Sequence, residues 1–521
     1  MTGTTTDVKH HPFLHHQSRR FHVIILLMVG YFSMAVMTSN IGITLNCMIN
    51  STALALEAEN EESLRDEDPI DVSLLSSNVT AGSCTRVKGA KVMDYGGSYE
   101  WSVETQGYIV GAAFLGGMLS VFPSGMAIDH FSMRHLLLVS VLLLSIASVL
   151  VPLCAEAIGP IAVIVLRFLM GVGEGMMIPG INGMITGWIP LHEKSTAAAL
   201  YTSGNQLAGI ISNPVAAEFC ASTLRWPAVF YSSGLLGFLW CIVWHFTVNN
   251  SPANSKWISD HEVKYLQHHL PKKHVKTEKK VIPWNAMARS APLLVVFYSS
   301  IIGNMMIAMI LVYIPVYFKD VLLLEVKQNG LYTMLPHVFN LISKLVWGFL
   351  MDYLKSKKIL TATQTVKLSQ VLSMMTLCLC FLGLAYGVDC STHGLALFLL
   401  CTIGAAFGLS ISGFLTSLLS LSPNFIGVLT STSQVIGFGG RLAAPQIITF
   451  FKTVGTAEEW RGILLVYSAM TVISALLFFL WGSGDVQPWD SYRVTPSRSK
   501  GPETDSKPLV DQNVLQTLTE A

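Results

Sequence analysis

The stretch IGPIAVIVLRFLMGVGEGMMIPGIN, residues 158–182, holds only two charged side chains, Arg167 and Glu174. As a helix rising 1.5 Å per residue it is about 37 Å long, more than the roughly 30 Å hydrocarbon core of a bilayer. A soluble helix of that length would keep one face charged against water. The run therefore reads as a membrane span with two ions inside it.

Eleven more such runs appear outward from it, near 22–47, 105–128, 135–155, 196–218, 226–248, 290–318, 329–352, 366–388, 393–421, 425–451 and 461–482. The fold class that follows is an all-α membrane protein of 12 transmembrane helices. Composition agrees: 521 residues are 51% hydrophobic and 12% charged, whereas a soluble chain carries roughly a quarter charged residues. Mean hydropathy is +0.52. A net charge of +1 from 33 bases and 32 acids offers no clustered basic surface for nucleic acid. Nine cysteines are too sparse for a disulfide scaffold, although Cys47, Cys84, Cys220 and Cys390 fall where they could pair on the lumenal side.

Orientation follows from where Lys and Arg collect. Residues 249–289 contain Lys264, Lys272, Lys273, Lys276, Lys279 and Lys280 among other bases and are expected in the cytoplasm. The acid-rich stretch 48–104 carries the sequons at Asn50 and Asn78, so it is expected to be a lumenal, glycosylated loop. The domain reading is a cytoplasmic tail 1–21, an N-terminal six-helix bundle 22–248, a basic cytoplasmic loop 249–289, a C-terminal six-helix bundle 290–482 and a cytoplasmic tail 483–521. Both termini are then cytoplasmic.

The halves echo each other. Gly125-Met-Ala-Ile-Asp129, followed by Arg134, ends the second span, and Gly348-Phe-Leu-Met-Asp352, followed by Lys355, ends the eighth. Recurrence at the same helix of each half is what an internal duplication leaves. Small residues let helices approach, and Asp129, Arg134 and Asp352 at the membrane boundary are candidate gating residues. Paired halves around a midplane site imply alternating access.

An ionised group in mid-membrane costs about 2.5 to 3.5 kcal/mol, so Arg167, Glu174, Lys344 and Arg441 together would cost roughly 10 to 14 kcal/mol unless they face water or partners. Arg167 and Glu174 lie seven residues apart, on one helix face two turns apart, with Gly171, Gly173 and Gly175 admitting a neighbouring helix or a ligand. His337 and Lys344 repeat that spacing in the other half. Three cations against one carboxylate favour a small anion, with Glu174 as proton carrier. Lys344 could instead snorkel to the interface, and Arg441 could pair with a carbonyl or with Glu174. The glycine string lacks the preceding strand of a dinucleotide loop. Gly408-Leu-Ser-Ile-Ser412 falls one glycine short of a nucleophile elbow, and with no His-Glu-x-x-His present the chain does not read as an enzyme. No metal or cofactor is expected beyond a coupling ion, H+ or Na+.

Four motifs carry a family resemblance: Tyr99-Glu-Trp-Ser-Val-Glu-Thr-Gln-Gly107, Arg167-Phe-Leu-Met-Gly-Val-Gly-Glu-Gly175, Trp188-Ile-Pro-Leu-His-Glu-Lys-Ser195 and Ser483-Gly-Asp-Val-Gln-Pro-Trp489. Together they resemble solute carrier family 17 of the major facilitator superfamily, which includes sialin, vesicular glutamate transporters and type I sodium-phosphate cotransporters. The resemblance implies secondary active transport of organic anions or phosphate across a lysosomal, vesicular or plasma membrane, coupled to protons or sodium. It implies binding roles for Arg167, Asn304 and His337. The chain departs from the family where a first-helix Arg would fall on Thr38, a seventh-helix Arg on Gly303, a second-helix His on Val110, and Asn-His-Leu-Asp on Ser417-Leu-Leu-Ser420. Lys344 and Arg441 are candidates for restoring the missing positive charge. The alternative is a non-transporting sensor or receptor of the same fold.

Overall fold

The computed structural model describes residues 15–57, 94–127, 132–190, 193–255, 258–270, 282–389, 391–453 and 455–491. Asn78, Asp129, Cys84 and Cys390 lie outside them. Twelve long helical rods run through these residues: α1 Arg19–Met48, α2 Val103–Ala127, α3 Met133–Ala157, α4 Pro160–Trp188, α5 Lys194–Ala221, α6 Pro227–Thr247, α7 Ala291–Asp320, α8 Val326–Ser356, α9 Ala362–Gly387, α10 His393–Leu421, α11 Ile426–Phe451 and α12 Ala457–Trp481. Ten are long and apolar enough to cross a membrane by composition alone; α5 and α11 are not. Both bring polar side chains to a central cavity, Thr202, Asn205 and Gln206 from α5 and Thr430, Ser433 and Gln434 from α11, which dilutes their hydropathy.

Three rods are irregular for local reasons. α1 breaks at Asn40 and resumes at Ile41. In α7, Pro315 lacks the N–H that would reach back four residues, and the helix widens into a π turn over Met309–Tyr313 just before it. In α10 a π turn spans Ile411–Leu415, and the Phe414 N–H donates to the Gln370 Oε1 of α9 at 3.1 Å.

The packing repeats with an offset of six helices. α1 packs on α5 as α7 does on α11, α2 on α4 as α8 on α10, and α3 on α6 as α9 on α12. Two six-helix bundles result, joined along two seams, α2 with α11 and α5 with α8. The ends of the rods differ. One, here the acidic-loop end, bears residues 49–57 and 94–102 between α1 and α2; the other, the basic end, bears the short helix Asp260–His269 between α6 and α7.

At the basic end Arg20, fully buried, is held by Glu193 at 2.6 Å and by Glu262 at 2.9 Å, and lies over the Tyr265 ring at 4.8 Å. Glu262 sits on the short helix Asp260–His269 and also accepts from the Arg19 and Arg20 backbone N–H groups at 3.0 and 3.2 Å. A carboxylate distant in sequence thus caps the exposed N–H groups and positive dipole end of α1. The start of α1 at Arg19 places residues 19–21, read from sequence as tail, inside the helix. Glu262→Gln should lower stability by about 2 kcal/mol, the worth of a buried charged hydrogen bond, seen as a lower melting temperature in detergent. An unchanged melting temperature would show that Glu193 alone suffices for Arg20.

Residues 483–491 strap the same end of the other bundle. Ser417 Oγ donates to the Ser483 carbonyl at 2.5 Å, Gln487 N to the Leu421 carbonyl at 2.9 Å, and Trp489 is buried.

Candidate functional site

Between the bundles lies a cavity of about 620 Å³ lined from α1, α4, α5, α7, α8, α10 and α11. Its lining residues lie in the middle and basic-end halves of those helices, from Tyr31, Asn182 and Ala198 to Lys344, Leu419 and Thr430. Toward the acidic-loop end the bundles close. A Cβ on Gly42 of α1 would stand 2.7 Å from the Leu311 carbonyl oxygen of α7, so only glycine admits that approach. The void beyond, among Gly42, Gln106, Tyr313 and Lys452, is about 30 Å³ and holds no more than a couple of waters.

The closure is also polar. Lys319 of α7, buried, donates to the Asn46 carbonyl at the end of α1 at 3.2 Å and to Ser51 Oγ at 2.5 Å. Its ammonium lies 5.1 Å from the centre of the Tyr95 ring. The Tyr95 hydroxyl donates to the Leu324 carbonyl at 2.6 Å and accepts from Asn329 Nδ2 at 3.1 Å. Sequence reading missed Lys319 because the seventh apolar run was taken to end at 318, which makes residue 319 a boundary charge.

Glu174 of α4 and Arg441 of α11 meet in the cavity wall at 2.7 Å, across the two bundles. Arg441 Nε donates to Asn304 Oδ1 of α7 at 3.0 Å, and its guanidinium lies over the Phe438 ring at 4.9 Å. The pairing weighed from sequence as the plainer fate of Arg441 is the one present. Lys344 lines the cavity and donates to Thr202 Oγ1 of α5 at 3.4 Å, so it faces the other bundle. His337, also lining, lays its ring against Gly209 of α5, where a Cβ would be 2.5 Å from Nδ1; its Nε2 has no hydrogen-bond partner among the described residues. Glu174, Asn304, His337, Lys344 and Arg441 are therefore brought to one chamber.

Arg167 is not. It is buried, its Nη1 reaches Met170 Sδ at 3.8 Å, its Nε is unsatisfied, and it is absent from the cavity lining. It sits two turns from Glu174 toward the closed end, neither in the chamber nor against lipid. The glycines beside it serve helix packing: a Cβ on Gly171 would lie 1.8 Å from the Ala113 carbonyl oxygen of α2, and one on Gly173 2.9 Å from the Ser140 carbonyl oxygen of α3. The expected role of Gly348 in close packing is overturned, since a Cβ there meets nothing within 4 Å.

Of the gating candidates, Arg134 and Asp352 lie among the described residues. The Arg134 guanidinium donates to the His245 carbonyl and ties α3 to α6 within one bundle. Asp352 pairs with Lys355 at 3.0 Å on the exposed surface of α8. Asn50 lies at the acidic-loop end, where its Oδ1 accepts from the Ala53 N–H at 3.0 Å. Of the cysteines, Cys47 is bonded to Cys220, joining α1 to α5. Thr38 returns its hydroxyl to the Met34 and Ala35 carbonyls of its own helix, and Ser417 faces the 483–491 strap, so neither replaces a binding group.

A family model described as Major Facilitator Superfamily matches residues 27–445. The Caenorhabditis elegans "Uncharacterized transporter slc-17.3" is 37% identical over 487 residues, covering 92% of this chain and 91% of that one. Human sialin is 26% identical over 476 residues, covering 91% of each. Among solved structures, a bacterial homologue of the human lysosomal transporter Spinster, in an inward-facing and unoccupied conformation, superposes with a TM-score of 0.63 at 15% identity, over 91% of this chain and 97% of that chain.

Proposed function

The chain belongs to solute carrier family 17 of the major facilitator superfamily, and from that premise we propose that this transporter carries small anions, organic anions or inorganic phosphate, coupled to protons. The observation that carries the reading is the Glu174–Arg441 pair, 2.7 Å long and shared between the bundles at the cavity wall. While Glu174 is ionised it occupies Arg441. A proton on Glu174 removes that charge, and Arg441, still oriented by Asn304, is released to an incoming anion. Proton and anion thus load together.

The charge arithmetic supports symport. Among the described lining residues Glu174 contributes −1, Arg441 +1 and Lys344 +1, which sums to +1 with His337 neutral. Adding one proton and one monovalent anion leaves +1. The low-dielectric chamber then holds the same charge empty and loaded, so neither form meets an extra desolvation cost when the bundles rock. The orientation read from the basic segment 249–289 supports a cytoplasmic basic end and cytoplasmic termini, in which case the cavity is the inward-facing one and Asn50 and Asn78 are lumenal. Lys344 supports an anion over a cation as cargo, because its ammonium donates to the neutral Thr202 hydroxyl rather than to a carboxylate.

The test is uptake of labelled anions by proteoliposomes containing the purified full chain under separately imposed pH and sodium gradients. Accumulation driven by the pH gradient and abolished by a protonophore is the expected result. Accumulation that follows the sodium gradient alone, or none under either gradient with any anion tried, overturns the proposal.

A further inference from the structure

The cavity lining is uneven: polar groups come from both bundles, and α10 contributes none. On the N-terminal bundle, α4 and α5 turn Asn182, Thr202, Asn205 and Gln206 into it, and the Gln206 Oε1 is buried with no hydrogen-bond partner among the described residues. On the C-terminal bundle, α10 presents Phe407, Ile411, Phe414, Leu415 and Leu418 and no charge. Gly303 of α7 lies between the two rings: a Cβ there would be 3.4 Å from Phe414 and 3.9 Å from Phe407. Both rings line the chamber, with Gly303 packed behind them. Phe414 lies within the π turn Ile411–Leu415, and its backbone N–H donates to Gln370 of the neighbouring helix.

We propose that the cargo is an amphipathic organic anion whose flat apolar body lies against Phe407 and Phe414, with its anionic group at Lys344 and Arg441 and any polar substituents on the α5 side. The assignment rests on the transport reading above and narrows its substrate class. Inorganic phosphate, with oxygens on every side, would lose water along the α10 wall and gain no donor there. A polyhydroxylated acid meets the same obstacle on one of its faces. An aromatic ring gains by both burial and ring contact at that wall. The volume of about 620 Å³ accommodates a ring-bearing acid and is generous for a phosphate ion.

The experiment is pH-driven uptake by proteoliposomes of the full chain, with labelled benzoate, glucuronate and phosphate compared in kcat/KM. Benzoate is expected to lead the other two by at least about tenfold, and Phe414→Ala to raise its KM by about tenfold, the scale of one lost aromatic contact. Gly303→Leu, whose added side chain would press on both rings and displace them, should act in the same direction without deleting a ring. Phe414→Leu keeps an apolar side chain in the wall, so a raised benzoate KM in this variant at normal yield separates ring loss from misfolding. Glucuronate or phosphate carried as well as benzoate, or a benzoate KM unmoved in Phe414→Ala and Gly303→Leu, overturns this assignment and leaves proton-coupled anion transport standing. Uptake of none of the three, or of any other anion, overturns both.

Discussion

At an imposed gradient of two pH units, Glu174→Gln should reduce anion accumulation from about a hundredfold to none, each unit of pH being worth about 1.4 kcal/mol to a one-proton symporter. Glutamine keeps the shape and one carbonyl acceptor for the Arg441 Nη1 that now lies 2.7 Å from Glu174 Oε1, so the bundles can still meet there. What it removes is the titration. Arg441 is then released in every state, and the anion binds without waiting for a proton. Exchange of internal for external anion should therefore survive while gradient-driven accumulation is lost, a split that misfolding would not produce. Retention of pH-driven accumulation in Glu174→Gln would move the proton to another group, and His337, which also lines the cavity, would be next to test.

Much of this architecture was legible in the sequence, for reasons that differ from element to element. The twelve rods were readable because a bilayer demands long apolar runs, even in α5 and α11, where polar lining residues dilute the signal. Intramembrane charge singled out Glu174, Lys344 and Arg441, and all three line the cavity. The same rule singled out Arg167, which does not, because periodicity fixes a helix face but not the depth at which two bundles close over it. The pairing of Glu174 with Arg441 joins residues 267 positions apart, and no local pattern encodes that distance. Phe407 and Phe414 were unreadable for another reason. In an apolar span an aromatic ring facing lipid and one facing a chamber look alike, and the π turn that rotates α10 by an extra residue leaves no composition of its own. Lys319 escaped by a single residue at a span boundary, yet it anchors the polar part of the closure.

That closure gives the second large effect. Lys319→Met keeps most of the apolar stem of the side chain but deletes the ammonium that donates to the Asn46 carbonyl and Ser51 Oγ and lies over Tyr95. Hydrogen bonds from a charged donor are worth about 1.5 to 3 kcal/mol each in a buried setting, and the Asn46 carbonyl, in the last turn of α1, carries the negative end of the helix dipole besides. These contacts exist only while the acidic-loop end is shut, because Asn46, Ser51 and Tyr95 lie on one side of it and Lys319, Leu324 and Asn329 on the other. Losing about 3 kcal/mol from one of two conformations changes their ratio by more than a hundredfold. Spin labels at the exposed positions Glu218 of α5 and Lys327 of α8, which face each other across the seam at 2.9 Å, report the opening directly. In the parent protein the short separation should dominate, and in Lys319→Met a longer one should replace it. Anion exchange should slow, since a carrier held open at one end cannot return at its former rate. If the distance distribution does not move, Lys319 is packing rather than a latch, and the closure rests on close backbone approaches such as that of Gly42 to Leu311.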